Sequence, residues 1–224
     1  MVATWIAPKG PLAEEDAQPY TEELGRHIGE IPTPALIVDT ARVAKNAQIM
    51  NDRAHLLGVS LRPHFKTCQS IAVANILLGE TWSTGAAASL EDVKTYFEAG
   101  LRNIRYTSPI SPSNVSLVAP LIDNGLHFES IVSDVGIANL LGVEAKQQGV
   151  TINVIIELNL YPIPRAGVEY HSKAFFELAA TIHQHPNLHL QGIYTDGCIA
   201  AQLKDRSKRI QAIEGCRNKL VEAQ

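Results

Sequence analysis

The chain has 224 residues, of which 46% are hydrophobic and 19% charged, and its formal net charge is −4. This length supports one large domain with a substantial core, and the acidic balance argues against a nucleic-acid partner, which selects a basic surface. Because no apolar run reaches the ~18–20 residues of a membrane span, no secretory signal opens the chain and the three cysteines form no disulfide framework, we expect a cytoplasmic protein without a membrane partner.

Residues 1–30 are rich in proline and glutamate and predict a weakly structured lead-in to a domain over 31–224. The first patterned segment, "TPALIVD" (residues 33–39), predicts a short apolar strand. Asp39 or Thr40 then caps a helix over 41–57, which ends at Gly58.

Strands and helices then alternate to the end of the chain. The strand Val59–Lys66 is followed by five more, and a last charged helix covers 204–224. The later strands contain TWSTGAAAS, NIRYTS, FESIVS, TINVIIELN and LHLQGIYT, and the helices between and before them cover about 68–79, 89–99, 113–124, 134–148 and 171–184. Such alternation predicts βα units and a parallel sheet.

Six βα units with short connections predict an incomplete (β/α)8 TIM barrel. A complete barrel needs about 200–250 residues, and here about 57 residues precede the first barrel strand, so the chain runs out about two units early. A doubly wound sheet is the alternative, although no GxGxxG fingerprint follows any strand.

Three basic residues alternate along the predicted strand Val59–Lys66. Arg62, His64 and Lys66 would share one face and point into the barrel, with Lys66 at the carboxyl end, where barrel enzymes place their chemistry. A lysine among other cations and away from water has a lowered pKa and can act as an amine nucleophile. The alternative is a strand that has ended, with three basic side chains in solvent.

Several collinear segments resemble the D-threonine aldolase and D-serine dehydratase family, whose members are pyridoxal-phosphate enzymes with the alanine racemase N-terminal type of barrel. The similar segments are TPALIVD, GVSLRPHFKT, SLEDVKTYFEAGLRNIRYTSPISPS, VIIELNLYPIPRAGVE and LQGIYTDG. The most specific of them is RPHFKT, which is similar to the family's R-P-H-x-K-T-H-K.

The resemblance implies a set of site residues. Lys66 would carry the cofactor, Arg165 would lie beside its phenolate oxygen, Tyr194 would be the active-site tyrosine, and His64 would also contact the cofactor. The implied substrate is a D-3-hydroxy amino acid, cleaved by an aldolase or dehydrated. The family also uses a divalent metal and a glycine-rich phosphate loop, and neither the metal ligands nor that loop is recognised in this chain.

Glu157 and Asn159 alternate with apolar residues on VIIELN, so they are also candidates for the barrel interior. By contrast, the three histidines of HQHPNLHL (183–190) are typical of surface residues, and no metal site is predicted.

The chain departs from the family pattern at three places. Cys68 and Gln69 stand where the family has His and Lys, Asn159 and Tyr161 replace an Asp-x-Gly, and Asp196 replaces a histidine. Four interpretations therefore stay open: an N-terminal part of a lyase, a truncated non-catalytic relative, a short single-barrel pyridoxal-phosphate homeostasis protein, and an unrelated barrel enzyme. Since a barrel without two strands leaves sheet edges open, we also expect self-association or a homodimer.

Overall fold

The computed structural model describes residues 3–5, 27–34, 36–79, 83–160, 166–197, 200 and 202–223. These residues fall into two compact units, Met1–Ser83 and Thr84–Gln224. Each unit has its own secondary structure, and the two are treated in turn.

The first unit contains a two-stranded sheet and two helices. Strand β1 (Ala3–Trp5) pairs antiparallel with β2 (Ile37–Asp39), which is shorter than the strand predicted over 33–39. Helix α1 (Thr40–Leu57) begins where predicted, because the Asp39 carboxylate accepts a hydrogen bond of 2.9 Å from the Arg42 amide. It ends at Gly58, whose φ of 63° gives the left-handed cap that glycine adopts without strain. Helix α2 (Ile71–Leu78) packs against α1.

The predicted strand Val59–Lys66 is wrong. Residues 59–63 are irregular, His64 makes an isolated bridge, and Phe65–Thr67 form a 3₁₀ turn. Pro63 explains part of the difference, because it lacks the amide proton that a strand position donates to its ladder. His64 explains the rest, since its side chain binds the Lys66 amide and turns the chain immediately after the bridge.

The second unit alternates strands with helices as predicted. Its strands are β3 (Gly85–Ala87), β4 (Asn103–Pro109), β5 (His127–Val132), β6 (Ile152–Asn159), β7 (Val168–Glu169) and β8 (Leu188–Tyr194). Its helices are α3 (Leu90–Glu98), α4 (Val115–Asp123), α5 (Val135–Gln147), α6 (Lys173–Gln184) and α7 (Arg206–Glu222). Strand β7 has only two residues, and no pattern in the sequence indicates it.

All six strands of the second unit belong to one parallel sheet. Strands β3, β4, β5 and β6 lie side by side in chain order, and the far edge of β6 is shared by two strands. Strand β8 pairs with residues 152–157 of β6, and β7 pairs with its last two residues. Within the described strands, the order along the sheet therefore runs from β3 through β4, β5 and β6 to β8.

Helices α3 to α6 of the second unit form one layer. Helix α3 contacts α4, α4 contacts α5, and α5 contacts α6, which places consecutive helices on the same face of the sheet. A doubly wound sheet would divide them between both faces. Ile104, Phe128, Val154 and Ile156 are at most 1% exposed and form the core of this unit. The fold is therefore α/β of the barrel type, and the described strands do not close the barrel.

Within the described ranges, no helix combines the length and the hydropathy that a bilayer crossing requires.

Candidate functional site

Lys66 lies in a tight turn of the first unit. The Lys66 amide donates to Nδ1 of His64 over 3.1 Å, and the amide of Gln69 donates to the Phe65 carbonyl over 2.8 Å. The Phe65 side chain is only 1% exposed, whereas that of its neighbour Lys66 is exposed. A buried aromatic ring thus anchors the turn, and the lysine side chain points away from the core.

The hydrogen bond in this turn also assigns the His64 tautomer. Because Nδ1 accepts the Lys66 amide proton, the proton of the neutral imidazole is on Nε2. His64 is half-buried, so a hydrogen-bond donor is held within two residues of the lysine. The structure therefore brings together two of the residues that the resemblance implies, His64 and Lys66.

Arg62 does not share a common inward face with His64 and Lys66 as predicted. It lines a cavity of ≈ 290 Å³ between α1, α2 and the segment before the turn, and its sequence neighbours Leu61 and Pro63 line the same cavity. Three consecutive residues at one cavity exclude the alternating pattern of a strand. The position of Arg62 differs from the prediction because residues 59–63 are irregular and form no strand.

Tyr194 ends strand β8 in the second unit, at the carboxyl end of the parallel sheet. It is half-buried and lies in register with Glu157 of β6. Glu157 and Asn159 are also half-buried, whereas the residues that precede them, Ile156 and Leu158, are buried. The two polar side chains therefore lie on the face of β6 opposite the helices, as the alternation predicted.

A charged pair on the same sheet was not predicted. Arg105 of β4 and Glu129 of β5 are register partners, and Nε of Arg105 donates to the Glu129 carboxylate. The guanidinium also lies over the ring of Tyr194, with 5.9 Å between its carbon and the ring centroid. The only signal in the sequence is one charged residue within each apolar strand, in NIRYTS and in HFESIV.

Arg165 falls outside the described residues, so its predicted position beside the cofactor stays a prediction. The segment that follows it is described from residue 166. There Gly167 packs directly on the last residues of β6, because a side chain at this position would meet the Asn159 amide nitrogen at 2.8 Å. Lys66 and His64 thus belong to the first unit, and Tyr194 belongs to the second.

Two of the three histidines in HQHPNLHL have side-chain partners. His185 bonds Asn139 over 3.0 Å, and His189 bonds Gln191 over 2.9 Å and Asn153 over 3.3 Å. Over the ranges given above, no group of three or more His, Cys, Asp or Glu side chains is arranged to hold a metal ion. These histidines therefore act as hydrogen-bonding groups of the second unit.

A comparison with protein families supports the barrel-type fold and the family resemblance of the sequence. The family model of the alanine racemase N-terminal domain matches residues 38–224. D-threo-3-hydroxyaspartate dehydratase from Delftia sp. (strain HT23) is 30% identical over 129 residues, which are 58% of this chain and 34% of the relative. The 3-hydroxy-D-aspartate aldolase from Paracoccus denitrificans is 26% identical over 171 residues, 75% of this chain and 44% of the relative.

The fold is also similar to the folds of solved structures. A metal-free mutant of D-threo-3-hydroxyaspartate dehydratase superposes with a TM-score of 0.81 at 26% identity, covering 87% of this chain and 51% of that one. D-threonine aldolase from Filomicrobium marinum has a TM-score of 0.77 at 24% identity, covering 88% and 52%, and shows the fold alone. The chain spans about half the length of these solved relatives.

Proposed function

Since this chain belongs to the alanine racemase N-terminal domain family, we propose that it forms the barrel part of a pyridoxal-phosphate-dependent lyase for D-3-hydroxy amino acids. The observation that carries the proposal is the presentation of Lys66. Its backbone is fixed by His64 and by the buried Phe65, while its side chain is exposed. A lysine that binds an aldehyde needs an accessible amine on a fixed backbone, and this turn provides both.

The chemical groups of the predicted site residues suit the aldehyde end and the ring of the cofactor. Lys66 would hold the aldehyde carbon, the Nε2–H group of His64 and the Tyr194 hydroxyl would orient the ring, and Arg165 would lie beside the phenolate oxygen. When bound, pyridoxal phosphate supplies an electron-poor ring that withdraws electrons from the substrate's α-carbon. The cationic guanidinium of Arg165 would keep the phenolate ionised, because an opposite charge favours the charged form.

The relatives' names support the substrate class. One is named for dehydration and one for aldol cleavage of a hydroxyaspartate, so both act on an amino acid with a hydroxyl at the β-carbon. We extend this class, D-3-hydroxy amino acids, to the present chain. The choice between aldol cleavage and dehydration depends on the groups that hold the β-hydroxyl. In the family a divalent metal does so, and its ligands would come from outside the described residues.

Cofactor binding is tested by absorbance. Titrating the purified chain with pyridoxal phosphate is expected to produce the visible band of a lysine-bound cofactor, and Lys66→Ala is expected to abolish it. Lys45→Ala is the matched control, because Lys45 is another exposed lysine of the first unit. A band that survives Lys66→Ala, or that both variants reduce equally, contradicts the assignment of Lys66.

A non-catalytic relative that binds the cofactor is the second candidate. It is favoured by Cys68, Gln69 and Asp196, which differ from the family's residues next to the two main motifs. Release of an aldehyde from D-threonine or of ammonia from D-serine, measured with and without divalent metal, separates the candidates. Neither product in the presence of a normal absorbance band would establish the second one.

A further inference from the structure

The ion pair between Arg105 and Glu129 lies on the concave face of the sheet. Glu129 is 4% exposed, and the side chain of Arg105 is 22% exposed. The Glu129 carboxylate is therefore withdrawn from water, and its charged form is stabilised by the Arg105 guanidinium beside it. The two residues are register partners on adjacent strands, so the backbone itself holds them opposite each other.

Arg105 contacts a residue that is distant along the sheet. Strands β5 and β6 separate β4 from β8, so on a flat sheet Tyr194 would lie about 14 Å from Arg105 in the direction across the strands. The guanidinium carbon is nevertheless 5.9 Å from the centre of the Tyr194 ring. Two long side chains on the inner face of a barrel-type sheet span the separation between their strands, and the distance lies within the range of a cation–π contact.

Stability of the fold is a weak explanation for this arrangement. A buried ion pair can commonly be replaced by apolar residues at no cost to stability, because the desolvation of the charges opposes their attraction. The same pair is well suited to orientation. Glu129 binds Nε and so restricts rotation of the planar guanidinium, which then lies over the aromatic ring of Tyr194.

We propose that Arg105, held by Glu129, is a positioning residue that fixes the ring of Tyr194 at the carboxyl end of the sheet. The inference rests on the proposed function for its consequence, since Tyr194 is there a residue that orients the cofactor. A ring that is already fixed loses less freedom when the cofactor binds, and so contributes more to affinity.

The first test needs no cofactor. The full chain is labelled with 3-fluorotyrosine, the Tyr194 resonance is assigned by its loss in Tyr194→Phe, and the spectrum is compared with that of the double variant Arg105→Met, Glu129→Met. We expect the Tyr194 resonance to shift and to narrow as the ring becomes mobile. Arg102→Met is the matched control, because Arg102 lies 4.4 Å from the Phe97 ring and removes a different arginine–aromatic contact. An unchanged Tyr194 resonance in the double variant overturns the inference.

The second test measures pyridoxal phosphate affinity from the visible band. The double variant is expected to bind roughly threefold to tenfold more weakly, a range that corresponds to one cation–π contact. In a Tyr194→Leu background the same double substitution should have no further effect, whereas an equal loss there overturns the inference. If the unsubstituted chain gives no band while the fluorine resonance still responds, the proposed function fails and the positioning contact stands.

Discussion

Gly167 is the position where one added methyl group should disturb the candidate site most. It lies two residues after Arg165 and has a φ of +112°, which side chains other than glycine rarely adopt. A Cβ there would lie 2.8 Å from the Asn159 nitrogen, 3.0 Å from the Leu158 carbonyl carbon and 3.1 Å from the Glu157 oxygen. These are backbone atoms of β6, so the methyl group can be accommodated only if the strand or the turn moves.

The cost of Gly167→Ala has two parts. Backbone strain at this φ costs about 1–2 kcal/mol, and the contact with β6 raises the total to roughly 3–4 kcal/mol. Gly100→Ala separates the two parts, because Gly100 has a φ of +109° but nothing within 4 Å of an added Cβ. It should lose only the strain component, about 1–2 kcal/mol.

Urea unfolding of the two variants measures these costs, and hydrogen exchange of the Val168 and Glu169 amides locates the damage. We expect Gly167→Ala to speed exchange at β7 and to weaken pyridoxal phosphate binding, because the bend at residues 166–167, which follows Arg165 in the sequence, is displaced. Gly100→Ala should leave both unchanged. Equal losses of stability in the two variants would refute the packing argument, since they share only their φ.

Three further outcomes follow from the second unit. Gly142→Ala in α5 should destabilise the chain by about 1–3 kcal/mol in the same urea assay, because the new Cβ would lie 2.3 Å from Cγ of His185. Gly215→Ala in α7 should stabilise the chain by about 0.5–1 kcal/mol, because the new Cβ would have open space around it and alanine favours a helix over glycine. Partial burial and the hydrogen bond to Glu222 raise the pKa of Tyr170 from 10.0 to about 12, so the folded chain retains this proton more tightly than the unfolded chain. Unfolding titrations should therefore show stability falling between pH 10 and 12 by more than in Tyr170→Phe. Because the described strands do not close into a barrel, we expect the chain to self-associate, and sedimentation velocity that shows a single monomeric species across concentrations would contradict this.

The parts of the fold that local chemistry determines were predictable. Asp39 caps α1 and Gly58 ends it, because a carboxylate acceptor and a left-handed glycine act within one helical turn. The alternation of strands and helices in the second unit was predictable for the same reason. The strand predicted over 59–66 was wrong, because the prediction used only the alternation of side chains. It ignored Pro63, which has no amide proton for a ladder, and the hydrogen bond between His64 and the Lys66 amide.

The candidate site likewise contains one part that local sequence determines and one part that packing between distant segments determines. Lys66 lies in a contiguous turn, so a short motif is enough to single out the residue, and the matched family model, which covers residues 38–224, includes it. The contact of Arg105 with Glu129 and Tyr194 depends on the register of β4 with β5 and on the curvature of the sheet. Neither property is visible in any one segment, because both are set by packing between distant segments.

This division indicates which part of the site can distinguish this chain from its relatives. The turn around Lys66 is held by His64 and Phe65, which are its neighbours in the sequence, so a short segment determines it. The concave face of the sheet is built from side chains on separate strands, so proteins that share the fold can differ in the charges on this face. Cofactor attachment is therefore the property to expect from family membership, while the polar groups of the concave face, such as Arg105 and Glu129, belong to no contiguous motif and can be found only from the structure.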